Sequence, residues 1–163
     1  MRISARLRAI LTMVQGRVLA DIGTDHAFVP IAACLDGIVE RAIACDRCPG
    51  PLEKARVNIV HYGLESRIET RLGFGLEPLT EYEVECVIIA GMGGMNIIEI
   101  LKTPRPIKRL ILQPQRDIPL VRDFLHDMGY KTFNELTVSD RGRSYTVIGA
   151  DRSGDKSDYS VDY

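Results

Sequence analysis

Three stretches of this chain combine residue types and spacings that could do chemistry. The first is "ADIGTDHA" (20–27), which sets the carboxylates of Asp21 and Asp25 around Gly23 and ends on the imidazole of His26. The second is Asp46, closing the apolar run "AIAC". The third is "VIIAGMGGM" (87–95), where Val87, Ile88, Ile89 and Ala90 open onto Gly91, Gly93 and Gly94. Each follows a strand-like run, and in open α/β sheets ligands bind beyond the carboxyl ends of the strands. Asp21 and Gly23 suit a tight turn into a helix amino terminus, where backbone N–H groups favour an anionic group. A dinucleotide fingerprint would read GxGxxG, yet only Gly23 is present, with Asp25 and Ala27 where later glycines would stand. A pyrophosphate there would meet the Asp25 carboxylate, which disfavours NAD and leaves room for a ligand without phosphates. Asp46, about 20 residues on, is placed to take a ribose diol. Two structural readings compete: Asp46 as the cap of the next helix, and Asp21 as a turn former.

The elements that must position these residues alternate between strand and amphipathic helix, which reads as an α/β fold around a mostly parallel sheet. A helix over Ser4–Met13 leads into strand "GRVLADIG", helix "AFVPIAACLDG", strand "RAIACD" and helix "GPLEKARVNIVHYG". Strands "RIETRLG" and "VECVIIAG", helix "GMNIIEILKT", strand "IKRLILQP" and helix "RDIPLVRDFLHDMG" follow. "YKTFNELTVSD" and "RSYTVIGAD", joined by "DRGR" with a central Gly142, read as a terminal hairpin. That makes seven strands, the last antiparallel. Residues 1–150 are expected to form the single domain, and the polar segment 151–163 a flexible tail.

Composition narrows the classes. With 163 residues and 45% hydrophobic residues the chain can bury one core. Lys and Arg total 21 against 22 Asp and Glu, so any basic surface for an RNA must be local. Arg2, Arg6 and Arg8 supply one candidate, a solvated helix face being the plain alternative. No apolar run approaches the ~20 residues of a membrane span and no secretory h-region opens the chain, so a cytoplasmic location is expected. Of Cys34, Cys45, Cys48 and Cys86, the "CDRC" pair could be redox-active or half of a zinc site, but no further spaced ligands accompany it. Free thiols are expected, with no metal and no protein partner.

A phosphate-free nucleoside, an amino-acid tail near the first turn and a ribose on Asp46 together describe S-adenosylmethionine. The motifs "ISARLRAI", "ADIGTDHAFVP", "GPLEKARVNI", "RLGFGL", "IIAGMGG" and "LILQPQ" resemble the TrmK-type tRNA (adenine-22-N1)-methyltransferases of bacteria, over about Ile3 to Ala150. The resemblance implies a Rossmann-like class I methyltransferase that moves a methyl group from S-adenosylmethionine to N1 of an adenine in tRNA. It implies cofactor contacts from Asp21, Ile22, Gly23, Asp46, Arg47, Gly73, Phe74, Ala90 and Gly91. The flipped base would sit over Gly91, Met92, Gly93 and Gly94, bordered by Gln113 and Pro114, with Arg6, Arg8 and Tyr145 toward the RNA.

Because N1 carries a lone pair, positioning and charge stabilisation should outweigh a strong base. The methylated base is cationic, so Asp25 is expected to favour that charge and His26 to orient the base or handle a proton. Gln113 is placed to hydrogen-bond a base edge and Phe28 or Tyr145 to stack on a base, and alternatives stand beside each: Asp25 capping the helix near Ala27, a structural His26, a buried Gln113 amide satisfying loop backbone, and core roles for Phe28 and Tyr145. Two departures from the family pattern follow. Its members usually read "RLGDGL", with an acid for the cofactor's adenine amino group, where this chain has Phe74. They also generally continue into a helical, coiled-coil-like domain, so the catalytic core alone is expected here. A module that binds but no longer turns over, motivated by Phe74, and an NAD-linked oxidoreductase are the competing classes.

Overall fold

The computed structural model describes residues 1–153. β1 (Val18–Ile22), β2 (Arg41–Asp46), β3 (Ile68–Leu72), β4 (Cys86–Met92) and β5 (Arg109–Pro114) are parallel. β6 (Lys131–Asp140) and β7 (Arg143–Asp151) form the hairpin, and β7 joins β5 antiparallel. The sheet order is β3-β2-β1-β4-β5-β7-β6. The chain therefore reverses direction across the sheet between β1 and β4, the switch point where a crevice opens.

Strand alternation divides the core between two faces. Leu19, Ala44, Ile88 and Ile111 look to one side, against α1 (Ala5–Leu11), α2 (Phe28–Leu35) and α3 (Pro49–His61). Ala20, Ile43, Ile89 and Leu112 look to the other, against α4 (Gly94–Leu101) and α5 (Ile118–Asp127). Covered on both sides, β1 is buried at all five residues, which is why "VLADI" shows no polar alternation. The expected hairpin is present: Arg141 (φ 50°) and Gly142 (φ 76°) form a two-residue loop with both residues left-handed.

Three boundaries differ from the sequence reading. α1 is shorter than Ser4–Met13, because the Ser4 hydroxyl accepts from the Leu7 N–H at 3.3 Å and caps the helix outside its first turn. Asp151 belongs to β7 rather than to a tail, held by a bidentate pair with Arg109 at 2.7 Å on each oxygen. Residues 154–163, the rest of the expected tail, lie outside the described residues. Finally, β4 does not end at the first glycine. Its pairing with β5 passes from Ala90↔Gln113 to Met92↔Pro114, leaving Gly91 as an extra residue at φ 75°. This is a bulge in a conformation that glycine adopts without steric cost.

The next two glycines have a different cause. A Cβ on Gly93 would lie 2.9 Å from Arg116 Nε, and one on Gly94 would lie 2.7 Å from the Arg116 carbonyl and 2.9 Å from Val121 Cγ2. The Gly94 N–H donates to that same carbonyl at 3.0 Å. Bare backbone here lets α4 start against the β5–α5 loop. Gly94→Ala should therefore destabilise the fold by about 1–3 kcal/mol through overpacking, whereas Gly50→Ala in α3, where a Cβ meets nothing within 4 Å, should be neutral or mildly stabilising. Urea-unfolding midpoints of the two variants check this contrast.

Candidate cofactor and active site

A cavity of about 470 Å³ opens at the carboxyl ends of β1, β2, β3 and β4. Ile22 ends β1 and Gly23 follows it, Asp46 ends β2 and Arg47 follows it, Gly73 and Phe74 follow β3, and Ala90, Gly91 and Met92 end β4. Eight of the nine expected cofactor positions thus share one cavity. Asn96 and Glu99 of α4, which sequence reasoning did not select, complete the wall; their i, i+3 spacing on the polar stripe of α4 was the available signal. A larger cavity, about 610 Å³, lies between α1 and α2, lined by Arg2 and Arg8 and by no strand residue.

The ninth position, Asp21, stands behind the wall. It is buried, and its carboxylate accepts from the Thr24 hydroxyl at 2.8 Å. Burial, opposed by that bond and reinforced by the Asp46 charge, raises its pKa to about 6. The turn after β1 also differs from the expected anion cradle. The N–H groups of Gly23 and Thr24 both donate to the Cys45 carbonyl, at 2.9 and 3.0 Å, so neither is offered to a phosphate. Gly23 is left-handed (φ 74°), and a Cβ there would strike the Met92 methyl at 2.4 Å. Asp46 does not cap α3, whose N-cap is Cys48. Its Oδ1 accepts from the Cys48 N–H at 2.9 Å, and its other oxygen makes no bond among the described residues. Gly73 has a packing reason of its own, since a Cβ would meet Pro78 Cγ at 2.5 Å.

At the mouth, Gln113 is fully buried. Its Oε1 accepts from Arg6 Nη1 at 3.0 Å and from the Gly91 N–H at 3.1 Å, and its Nε2 donates to the Pro114 carbonyl at 3.3 Å. Of the roles weighed for Gln113, this is the buried amide that satisfies loop backbone: it braces Gly91. Gly94 is likewise buried against the Arg116 loop rather than presented to a substrate. Arg6 lies 5.4 Å from the centroid of Tyr145, which makes Tyr145 a partner of α1. Arg8 parts from Arg6 and lines the second cavity.

Asp25 and His26 leave the cofactor cavity as well. His26 borders a groove against α3, stacks on Phe28 with centroids 5.0 Å apart, and faces Asp25 at 3.4 Å. Asp25 is left-handed (φ 49°) and does not cap α2, whose N-cap is Ala27 without a side-chain bond. Phe28 is exposed rather than core. The four cysteines are free. Cys45 and Cys86 are buried, which pushes both thiols up to about 12, while Cys48 is exposed, so the "CDRC" sulfurs occupy opposite environments. Among the described residues no group of three or more His, Cys, Asp or Glu is placed to hold a metal.

Asp21 gives a pH-dependent prediction. Its folded pKa lies above the unfolded value, so the native state binds the extra proton and stability falls as pH rises through the window from about 4 to about 6. Asp21→Asn keeps an acceptor for Thr24 and removes that titration. It should be more stable than the parent near pH 7 by about 1–3 kcal/mol, with the advantage fading toward pH 4. Denaturant midpoints across this range check both the sign and the window.

Comparison with known proteins agrees with this geometry. A family model described as a methyltransferase domain matches residues 3–148. The tRNA (adenine(22)-N(1))-methyltransferase of Bacillus subtilis (strain 168) is 35% identical over 161 residues, covering 96% of this chain and 67% of the relative. The M. capricolum TrmK structure in complex with S-adenosyl-homocysteine superposes with a TM-score of 0.88 at 29% identity, over 94% of this chain and 70% of that one. Streptococcus pneumoniae Sp1610 in complex with S-adenosyl-L-methionine gives 0.88 at 33% identity, over 95% and 75%. With its cavity at the β1–β4 switch point, its bulge at Gly91 and its terminal hairpin, the chain belongs to the TrmK-type tRNA (adenine-22-N1)-methyltransferase family.

Proposed function

We propose that this protein transfers a methyl group from S-adenosylmethionine to N1 of adenine 22 in tRNA. The observation that carries the reading is the cavity joining Asp46 to the Gly91 bulge at the β1–β4 switch point. Its donor set fits the cofactor. Asp46 keeps one carboxylate oxygen for a ribose diol, and Ile22, Phe74 and Met92 supply apolar walls. The turn after β1 spends its N–H groups on Cys45, as suits a nucleoside without phosphates. When bound, S-adenosylmethionine supplies a sulfonium methyl that a ring-nitrogen lone pair can take.

The chain's own residues then position and stabilise. Gly91 and Met92 form the floor beside which the extruded adenine is held, and Gln113 keeps that floor in its left-handed turn. Asp25, on the loop after β1, offers a carboxylate to the cationic product from the rim rather than from inside the cofactor cavity. His26 stands on the α3 side of that loop. Among the described residues no helix is long and apolar enough to cross a membrane, and the cytoplasm, where tRNA is matured, is the proposed location.

The test is transfer of labelled methyl to unmodified tRNA, followed by nucleoside digestion. The reading expects 1-methyladenosine that disappears when adenine 22 is replaced by guanine; cofactor binding without transfer to any adenine would reject it in favour of a binding module. Phe74 motivates that alternative and can be examined separately. It lines the cavity but cannot accept a hydrogen bond from an adenine amino group. Phe74→Asp should bind S-adenosylmethionine about tenfold more tightly by calorimetric titration. Equal or weaker binding would show that ring packing already compensates.

A further inference from the structure

The cations around the active-site mouth are arranged differently from the amino-terminal helix patch that the sequence suggested. Arg6 is committed to Gln113 and Tyr145, and Arg8 turns to the cavity beside α2. Elsewhere in this chain of net charge −1, five arginines are spent on acids: Arg17 on Glu40, Arg56 on Glu53, Arg71 on Glu69 and Glu83, Arg109 on Asp151, and Arg122 on Glu135. Arg67 and Arg105 donate to backbone carbonyls, and Arg152 lies over Tyr130. Arg2, Arg41, Arg47, Arg116, Arg141 and Arg143 are exposed and form no ion pair among the described residues, and of these Arg116, Arg141 and Arg143 stand on the β5–β7 side of the mouth. All three also lie at the carboxyl edge of the sheet.

The hairpin carries two of them outward. β5 pairs with β7 from Arg109↔Asp151 to Leu112↔Ile148, a register that sets Pro114, the end of β5, level with Thr146. β6 and β7 nevertheless stay paired as far as Asp140↔Arg143. Three residues of β7 thus run past the edge of β5, about 10 Å at strand rise, with Arg141 and Gly142 beyond them. Arg143 and Tyr145 share a face by alternation, and it is the face that Arg6 touches, through the Tyr145 ring and through its N–H to Asp140 Oδ2 at 3.2 Å. Asp140 stands opposite Arg143 across the hairpin, but its carboxylate is turned to the Arg6 backbone N–H and forms no ion pair with Arg143. On the other side of the mouth, Arg116 Nε lies 2.9 Å from where a Gly93 Cβ would stand, so a second guanidinium borders the Gly91–Gly93 turn opposite Arg6.

We propose that Arg116, Arg141 and Arg143 are the backbone-phosphate footprint for the RNA segment that carries the target adenine, with the β6–β7 hairpin as an arm reaching past the site. The inference rests on the tRNA reading above and assigns the surface that positions the substrate. Phosphate contacts set register and orientation while the pocket takes the base. A rim of unpaired guanidinium groups on a chain with no excess of basic residues is suited to that division of labour.

Binding of unmodified tRNA to the full chain, measured by fluorescence anisotropy over a range of potassium chloride concentrations, tests it. Arg116→Ala should lower the magnitude of the log–log salt slope by about 1, and the Arg141→Ala/Arg143→Ala double variant by about 2. The Arg141→Lys/Arg143→Lys variant should retain most of the slope, and Arg41→Ala, at the opposite edge of the sheet, should leave it unchanged. Melting temperature and S-adenosylmethionine affinity should match the parent in every case. Parent-like affinity and slope in the alanine variants would overturn the footprint and leave the methyltransferase reading standing. Failure of the parent chain itself to bind tRNA while it binds the cofactor would overturn the footprint and the substrate assignment together.

Discussion

The buried amide of Gln113 is the interaction on which the site depends. Its oxygen accepts from both Arg6 and the Gly91 N–H while its nitrogen donates to the Pro114 carbonyl. Only an amide can accept twice and donate at once in that position; an ionised carboxylate accepts but cannot donate. One side chain on β5 therefore fixes the bulge that ends β4 and the helix that precedes β1. Without it the half-buried Arg6 guanidinium and the Gly91 N–H at the strand end would each lose a protein partner, and the left-handed turn at Gly91 would lose its brace.

From this joint the rest of the site follows. The bulge at Gly91 interrupts the β4–β5 ladder two residues beyond the last β1–β4 pair, Ile22↔Ile89, at the switch point. Met92 then swings over Gly23, closing the first turn against the fourth strand. On the far side of the turn, Gly93 and Gly94 let α4 seat against Arg116 and bring Asn96 and Glu99 to the cavity wall. The cavity at the switch point and the floor proposed for the base are thus two sides of one glycine turn.

Much of the fold was legible because parallel strands buried on both faces read as apolar runs, as in "VLADI" and "CVIIA", and because the two-residue turn Arg141-Gly142 marks a hairpin. The cavity positions were legible for the same reason: each follows a strand. What was not legible is contact across long sequence separation. Arg6 meets Gln113 from 107 residues away, and nothing local distinguishes it from Arg8, which faces another cavity. The glycines were equally ambiguous. Gly91 serves a left-handed bulge, whereas Gly93 and Gly94 serve packing against a loop that follows the next strand, and a run of letters cannot separate these causes. Asp25 and His26 follow β1 as Gly23 does, yet the left-handed backbone at Asp25 and Ala27 turns the loop toward α3.

The central claim is that Gln113 holds the Gly91 turn for the methyl-transfer step rather than for cofactor capture. The most direct measurement is the single-turnover methylation rate of Gln113→Glu at saturating S-adenosylmethionine and tRNA, alongside its cofactor affinity. That substitution conserves shape and the Arg6 contact but removes the donation to Pro114. The account predicts a rate lower by about tenfold or more, with cofactor affinity close to that of the parent because Asp46 and the apolar walls are untouched. A parent-like rate, or a loss that appears wholly as weaker cofactor binding, would contradict it.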